Sequence, residues 1–198
     1  MLYVLPKSRE RREKERINQM KEEILDQVAE LKGRRTTMEI VNVKFGEKTF
    51  KREIIHRPIA AAAIVETEDG RFIFVKQYRV PVKSIMLEAV AGCVDSNEHP
   101  AESMKREIEE ETGHLVTTNT IRYLGSIKAS PGYSDETIFL FYAKVNNIAG
   151  DQRPDDDERL QVLYRTFDEI QQMIIEDNTI NDGKTRLAWY EYLRQIRK

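Results

Sequence analysis

Residues 92–114 read GCVDSNEHPAESMKREIEEETGH. Pro100 suits the first turn of a helix and Gly113 its C-terminal cap, so the stretch predicts a glycine-ended loop followed by a helix over 100–112. On that helix Glu107, Glu110 and Glu111 stand at i, i+3 and i+4, and their side chains project to one side over about one turn. Three like charges so placed repel one another and weaken an isolated helix. Hard divalent cations reverse the sign, because Mg²⁺ prefers carboxylate and water oxygens. A site of this kind points to a phosphate-bearing substrate and to an enzyme.

Outward from this stretch the hydrophobic period is that of strands. Ile85 to Ala91 is an apolar run leading into it, and Ala61 to Val65 and Phe72 to Val75 flank Asp69-Gly70, a hairpin signal. Residues 40–43 and 50–55 predict two earlier strands joined by a turn around Gly46. Further strands are expected at 120–127, 136–145 and 160–166, with closing helices near 167–176 and 183–196; Trp189, Leu193 and Ile196 make the last one amphipathic. The segment from Pro6 to Lys32 differs. Ile17, Met20, Ile24, Val28 and Leu31 recur at three- and four-residue steps, which predicts an amphipathic helix ended by Gly33, with Arg34 and Arg35 near its negative dipole end. The expected organisation is an N-terminal helical extension over 1–36 and a catalytic domain over 37–198, of α/β class.

Composition narrows the function classes. A chain of 198 residues, 40% hydrophobic and 33% charged, suits one substantial globular domain with an extension. A net charge of −2 gives no global pull toward nucleic acid or an anionic membrane. Lys and Arg in the N-terminal segment alternate with Glu, which breaks any phosphate-binding track and argues against RNA processing. Cys93 is the single cysteine, so no internal disulfide forms, and the apolar run MLYVL is too short for a signal peptide or a membrane span. A reducing cytoplasm is the expected compartment. His56, His99 and His114 show no paired spacing that would suggest metal or acid–base roles.

The spacing Gly92, five residues, Glu98, seven residues, Arg106-Glu107, two residues, Glu110-Glu111, one residue, Gly113 resembles the Nudix box. Seven specified positions, each met by chance about one time in fifteen, coincide in roughly one chain per million, so a merely solvated acidic face is the poorer explanation. His114 stands where the box usually has an apolar residue. Gln77-Tyr78-Arg79, the run Leu87 to Gly92, Ser130-Pro131-Gly132 and the acidic run Asp155 to Glu158 are similar to the ADP-ribose pyrophosphatase branch, over roughly residues 37–198. Ile59-Ala60 stands where the branch usually has a glycine.

That resemblance implies a Nudix-type α/β/α sandwich with a mixed sheet and Mg²⁺-dependent cleavage of the pyrophosphate bond of ADP-ribose to AMP and ribose 5-phosphate. The alternative is the same chemistry on another nucleoside diphosphate sugar such as GDP-mannose. It implies Glu107 and Glu111 as metal ligands with the backbone carbonyl of Ala91, and Glu110 as a catalytic carboxylate that holds a further ion or a metal-bound water; Mn²⁺ is the other cation expected. Glu158 is the expected general base, with Asp156 in reserve. Arg79 is expected on a phosphate, Arg52 on the nucleobase, and Glu88, Ser130 and Gly132 near the ribose. Arg106 and Glu98 are expected to brace the loop and helix. The resemblance further implies a homodimer, with no nucleic-acid or membrane partner. A domain of this kind that only binds its nucleotide would have eroded carboxylates, whereas all three are present.

Overall fold

A computed structural model describes residues 13–14, 16–18, 20–116, 120–153 and 159–197. The chain divides into two compact units: residues 1–57 with 132–135, and residues 58–131 with 136–198.

The first unit carries an antiparallel sheet in the order β1 (Glu23–Lys32), β2 (Thr37–Phe45), β3 (Lys48–His56). Gly46, at φ 62°, makes the expected turn between β2 and β3. Ser134 bridges to Ile55, and Ile55 donates its N–H to the Tyr133 carbonyl at 2.7 Å. His56 Nδ1 lies 2.7 Å from Asp135 Oδ2, and the Asp135 bond is the main cause that raises the imidazole above its ordinary pKa.

The helix expected through residue 32 is corrected here. Backbone at 13–14 and 16–18 is helical, but Glu23–Lys32 is a strand paired with β2 from Glu23–Lys44 to Lys32–Thr37. Gly33 is the first residue of the β1–β2 turn and donates to the Thr36 carbonyl at 2.7 Å; it caps no helix. The physical reason lies in the register. Two irregularities, between Ile24 and Asp26 and between Gln27 and Ala29, each admit an extra residue. Such bulges stretch a two-residue alternation into the three- and four-residue steps that look helical. Ladder bonds to β2 then outweigh local propensity. A division at residue 36 would separate paired strands; the units instead part between Arg57 and Pro58.

The second unit holds the larger mixed sheet, in the order β10 (Leu160–Arg165), β5 (Phe72–Arg79), β4 (Ala60–Thr67), β9 (Thr137–Val145), β8 (Arg122–Lys128). β6 (Ser84–Glu88) pairs with β5, and β7 (Val90–Cys93) with β4. β4 and β9 run parallel, and the other pairs are antiparallel. The strand period of two sends alternate side chains to opposite faces. Ala61, Ala63, Val65, Ile73 and Val75 join Met104 and Ile108 of helix α1 (Pro100–Thr112) on one face. Ala62, Ile64, Phe72 and Phe74 pack on the other face with Ile170 of α2 (Phe167–Gln171), Ile174 of the π-helical turn that follows, and Ala188, Trp189 and Tyr192 of α3 (Gly183–Gln195). The result is the expected α/β/α sandwich. Among the described residues no helix is long and apolar enough to cross a membrane.

α1 starts and stops as its sequence dictates. Pro100 occupies the first turn, His99 Nδ1 accepts from the Ala101 N–H, and Gly113, at φ 72°, caps the end by donating to the Glu109 carbonyl at 2.8 Å. A Cβ on Gly113 would also overlap the backbone of Gly150. His114 is fully buried and bridges the Asn146 carbonyl through Nδ1 and the Tyr164 hydroxyl through Nε2, each at 2.9 Å. Since a carbonyl only accepts, Nδ1 carries a proton, and the Tyr164 hydroxyl, able to donate or accept, partners Nε2. These two bonds satisfy a polar ring where an apolar residue is usual.

Candidate active site

The carboxylates of α1 sit on the backbone of β7. Antiparallel pairing sets Ala91 opposite Ala62 and Gly92 opposite Ala61. A Cβ built on Gly92 would overlap the Glu107 carboxylate, so any larger residue there would push that side chain aside. Glu107 is thereby seated one residue from the Ala91 carbonyl. Glu111 is buried, at 4% exposure; its Oε2 takes part in no hydrogen bond among the described residues, and its charge acts on Arg79. Glu110 is partly exposed.

Arg106 fastens helix, loop and carboxylates together. Nη1 donates to Glu107 Oε1 at 2.8 Å and to Glu110 Oε2 at 2.9 Å. Nη2 donates to Ser103 Oγ at 3.1 Å, Glu98 Oε2 at 3.2 Å and the Cys93 carbonyl at 3.4 Å. Burial alone disfavours the guanidinium charge, but Glu98, Glu107 and Glu110 outweigh it and raise its pKa. The Arg106 bond in turn is the main cause that lowers the Glu98 pKa. Arg106 and Glu98 thus brace the loop and helix.

The donor set suits a divalent cation, which takes carboxylate and carbonyl oxygens. Among the described residues the glutamates are not already gathered as a three-ligand cluster. Arg106 stands as counterion to Glu107 and Glu110, meeting one carboxylate oxygen of each.

Beside them, Arg79 at the end of β5 and Glu88 at the end of β6 form a fork. Nε donates to Oε1 at 2.7 Å and Nη2 to Oε2 at 2.9 Å. Lys184 Nζ binds the same Oε2 from α3. Burial alone raises the Glu88 pKa, but the two cations override it and bring it down to about 2. Lys184, Asp182 and Thr185 are not among the residues singled out in the sequence. Their only local signal is Asp182 ahead of an amphipathic helix, where its side chain accepts from the Thr185 N–H at 2.9 Å.

Arg52 lies in the first unit. It lines a cavity of about 390 Å³ with Val28, Ile40, Lys51, Glu53, Gly132 and Tyr133, and its Nε donates to Glu22 at 2.9 Å. Tyr133 is a lining residue that the sequence did not single out. A Cβ on Gly132 would meet no atom within 4 Å, so the fold itself does not demand glycine there. Ser130 is half-buried in the second unit. The structure therefore brings Arg79, Glu88 and Glu111 together in the second unit, with Ala91, Glu107 and Glu110 in that unit too, and Arg52 with Gly132 in the first. Glu158 and Asp156 lie outside the described residues.

The NUDIX domain model matches residues 56–186. The chain belongs to the Nudix family. Among its Nudix relatives, the ADP-ribose pyrophosphatase of Bacillus subtilis is 33% identical over 148 residues, covering 74% of this chain and 78% of that protein. The methanol dehydrogenase activator of Bacillus methanolicus is 35% identical over 167 residues, covering 82% and 86%. A crystal structure of an ADP compounds hydrolase superposes with a TM-score of 0.73 at 21% identity, over 90% of this chain and 98% of that one, which bears on the fold alone. Nudix hydrolases use divalent metal ions, in keeping with the donor set on α1.

Two outcomes follow from this geometry. Gly92→Ala is expected to lower kcat/KM by about 100-fold, because displacing Glu107 by an ångström misplaces the site; its thermal melt should stay near that of the parent. Glu88 contributes stability above pH 4.5, its ordinary pKa, and that contribution is lost as pH falls toward 2, where the unfolded chain takes up the proton first. Thermal melts across pH 2 to 6 should therefore fall more steeply for the parent than for Glu88→Gln.

Proposed function

We propose that the protein hydrolyses the pyrophosphate bond of ADP-ribose, giving AMP and ribose 5-phosphate, with Mg²⁺ as the cation and Mn²⁺ as a substitute. The observation that carries this reading is the seat of Glu107 on Gly92, which sets a helical carboxylate against β7 one residue from Ala91. The name of the Bacillus subtilis relative supports the substrate.

In this reading Glu107, Glu111 and the Ala91 carbonyl hold the cation, and Glu110 holds a further one. The cations, when bound, offset the charge of the diphosphate and lower the pKa of the attacking water. Arg79 contributes a guanidinium fork to a phosphate, a geometry suited to bidentate contact. Glu88 keeps that fork in plane by engaging Nε and Nη2. Glu158 accepts the proton of the attacking water, with Asp156 in reserve, since a general base must lie within hydrogen-bond reach of that water. Arg52 is read as the contact to the nucleobase, and Ser130 and Gly132 as residues near the ribose.

We also read the protein as a homodimer. The exposure of Ile24, Leu25, Val28 and Leu31 on β1 supports this, because an apolar stripe on an outer strand is a burden for a lone chain. Light scattering should give twice the chain mass, and a monomer mass at micromolar concentration would refute it. With one cysteine and no disulfide to maintain, a reducing cytoplasm suits the chain.

Turnover of ADP-ribose, GDP-mannose and UDP-glucose with product identification tests the substrate. ADP-ribose is expected to be the best of the three and to yield AMP; were it the poorest, the branch assignment would be wrong. Glu111→Gln should remove most turnover with the fold retained, and near-normal activity would refute its role as a ligand.

A further inference from the structure

Lys184 and its neighbours do more than start a helix. The Lys184 side chain is 15% exposed and that of Glu88 3%, whereas Arg79 on the same carboxylate is 42% exposed. One buried carboxylate is thus held by a cation from inside and presents a second cation outward. Arg79 spends Nε and Nη2 on Glu88. That leaves the Nη1 edge of the fork turned away from Glu88, and a guanidinium whose donors are fixed in one plane is aimed by whatever fixes its carboxylate.

What fixes Glu88 is a short chain of contacts on α3. Lys184 Nζ binds Glu88 Oε2 and Asp182 Oδ2, the latter at 3.0 Å. The same Asp182 oxygen accepts from the Thr185 N–H at 2.9 Å and the Thr185 hydroxyl at 2.6 Å. Thr185 Oγ1 in turn accepts the N–H of Ala89 at 2.8 Å, in a fully buried bond. Ala89 joins β6 to β7, directly after Glu88 and two residues before Ala91. Lys184 and Thr185 therefore grip both the side chain of Glu88 and the backbone just beyond it. A lysine placed only for helix stability has no need of a partner on the sheet 96 residues away.

We propose that Lys184, anchored by Asp182 and Thr185, is a positioning residue that sets the Glu88 carboxylate and through it aims the Arg79 guanidinium at a diphosphate. It rests on the reading of Arg79 as a phosphate-binding group. Without Lys184, Glu88 keeps one cationic partner instead of two, its carboxylate is free to rotate with Arg79, and the fork loses its fixed plane. The effect is specific in kind: Lys184 matters to an anion only through Arg79.

The test is a double-mutant cycle on binding, read by calorimetry with inorganic pyrophosphate and Mg²⁺ as the probe, in the full chain. Lys184→Met is expected to weaken pyrophosphate binding by at least about tenfold in the parent and to add little in an Arg79→Ala background. Lys184→Arg, which keeps the charge, should stay within about threefold of the parent; if Lys184→Met does not fold, this variant decides. Equal losses from Lys184→Met in both backgrounds, no loss in the parent, a Lys184→Arg loss as large as that of Arg79→Ala, or no binding of pyrophosphate by the parent would each overturn the inference. Coupled binding in a parent that hydrolyses no nucleotide sugar would refute the functional reading and leave this one standing.

Discussion

Three glutamates on one helix face form a site only while something offsets their mutual repulsion, and Arg106 does so. Its guanidinium reaches Glu107, Glu110 and Glu98 together with the Cys93 carbonyl. Removing it would leave partly buried carboxylates facing one another, a far larger cost than the loss of one surface pair. The same contacts tie the loop 92–99 to α1, so the charge that makes the helix tolerable also sets the distance between β7 and the carboxylates. In the proposed function a divalent cation would add its own charge to that compensation. Arg106 is therefore the resting counterion of the site and the brace of its frame.

The sandwich beneath keeps this arrangement rigid. Alanines at 60–63 make β4 thin on both faces, and Met104 and Ile108 of α1 pack on one of them. Phe72, Trp189 and Tyr192 lock the opposite face, with Phe72 edge-on to Trp189 at 5.0 Å and to Tyr192 at 5.5 Å between ring centroids. α1 is held from behind by apolar packing and from in front by ion pairs. On the other layer α3 carries Lys184 to Glu88, so both helical layers contribute charged groups where β5, β6 and β7 end.

Much of this was legible in the sequence because the informative residues are local. Pro100 and Gly113 bound α1 within thirteen residues, and spacing alone put its glutamates on one face. The central strands of the second unit read as short apolar runs bounded by turn residues such as Asp69-Gly70. β1 was not legible, since bulges at Leu25 and Val28 disguise its period and its partner β2 supplies the deciding hydrogen bonds. Lys184 was hidden for another reason: it meets Glu88 across 96 residues, and no local pattern encodes that contact. His114 departs from the usual apolar residue, and only the fold supplies Asn146 and Tyr164 to satisfy it.

The central proposal is that the α1 glutamates, braced by Arg106, hold a divalent cation. Titration with Mn²⁺, followed by its electron paramagnetic resonance signal, measures this without reference to any substrate. The account predicts saturable binding by the parent protein and at least tenfold weaker binding by Glu107→Gln. Equal binding by both proteins, or none by the parent, would contradict it.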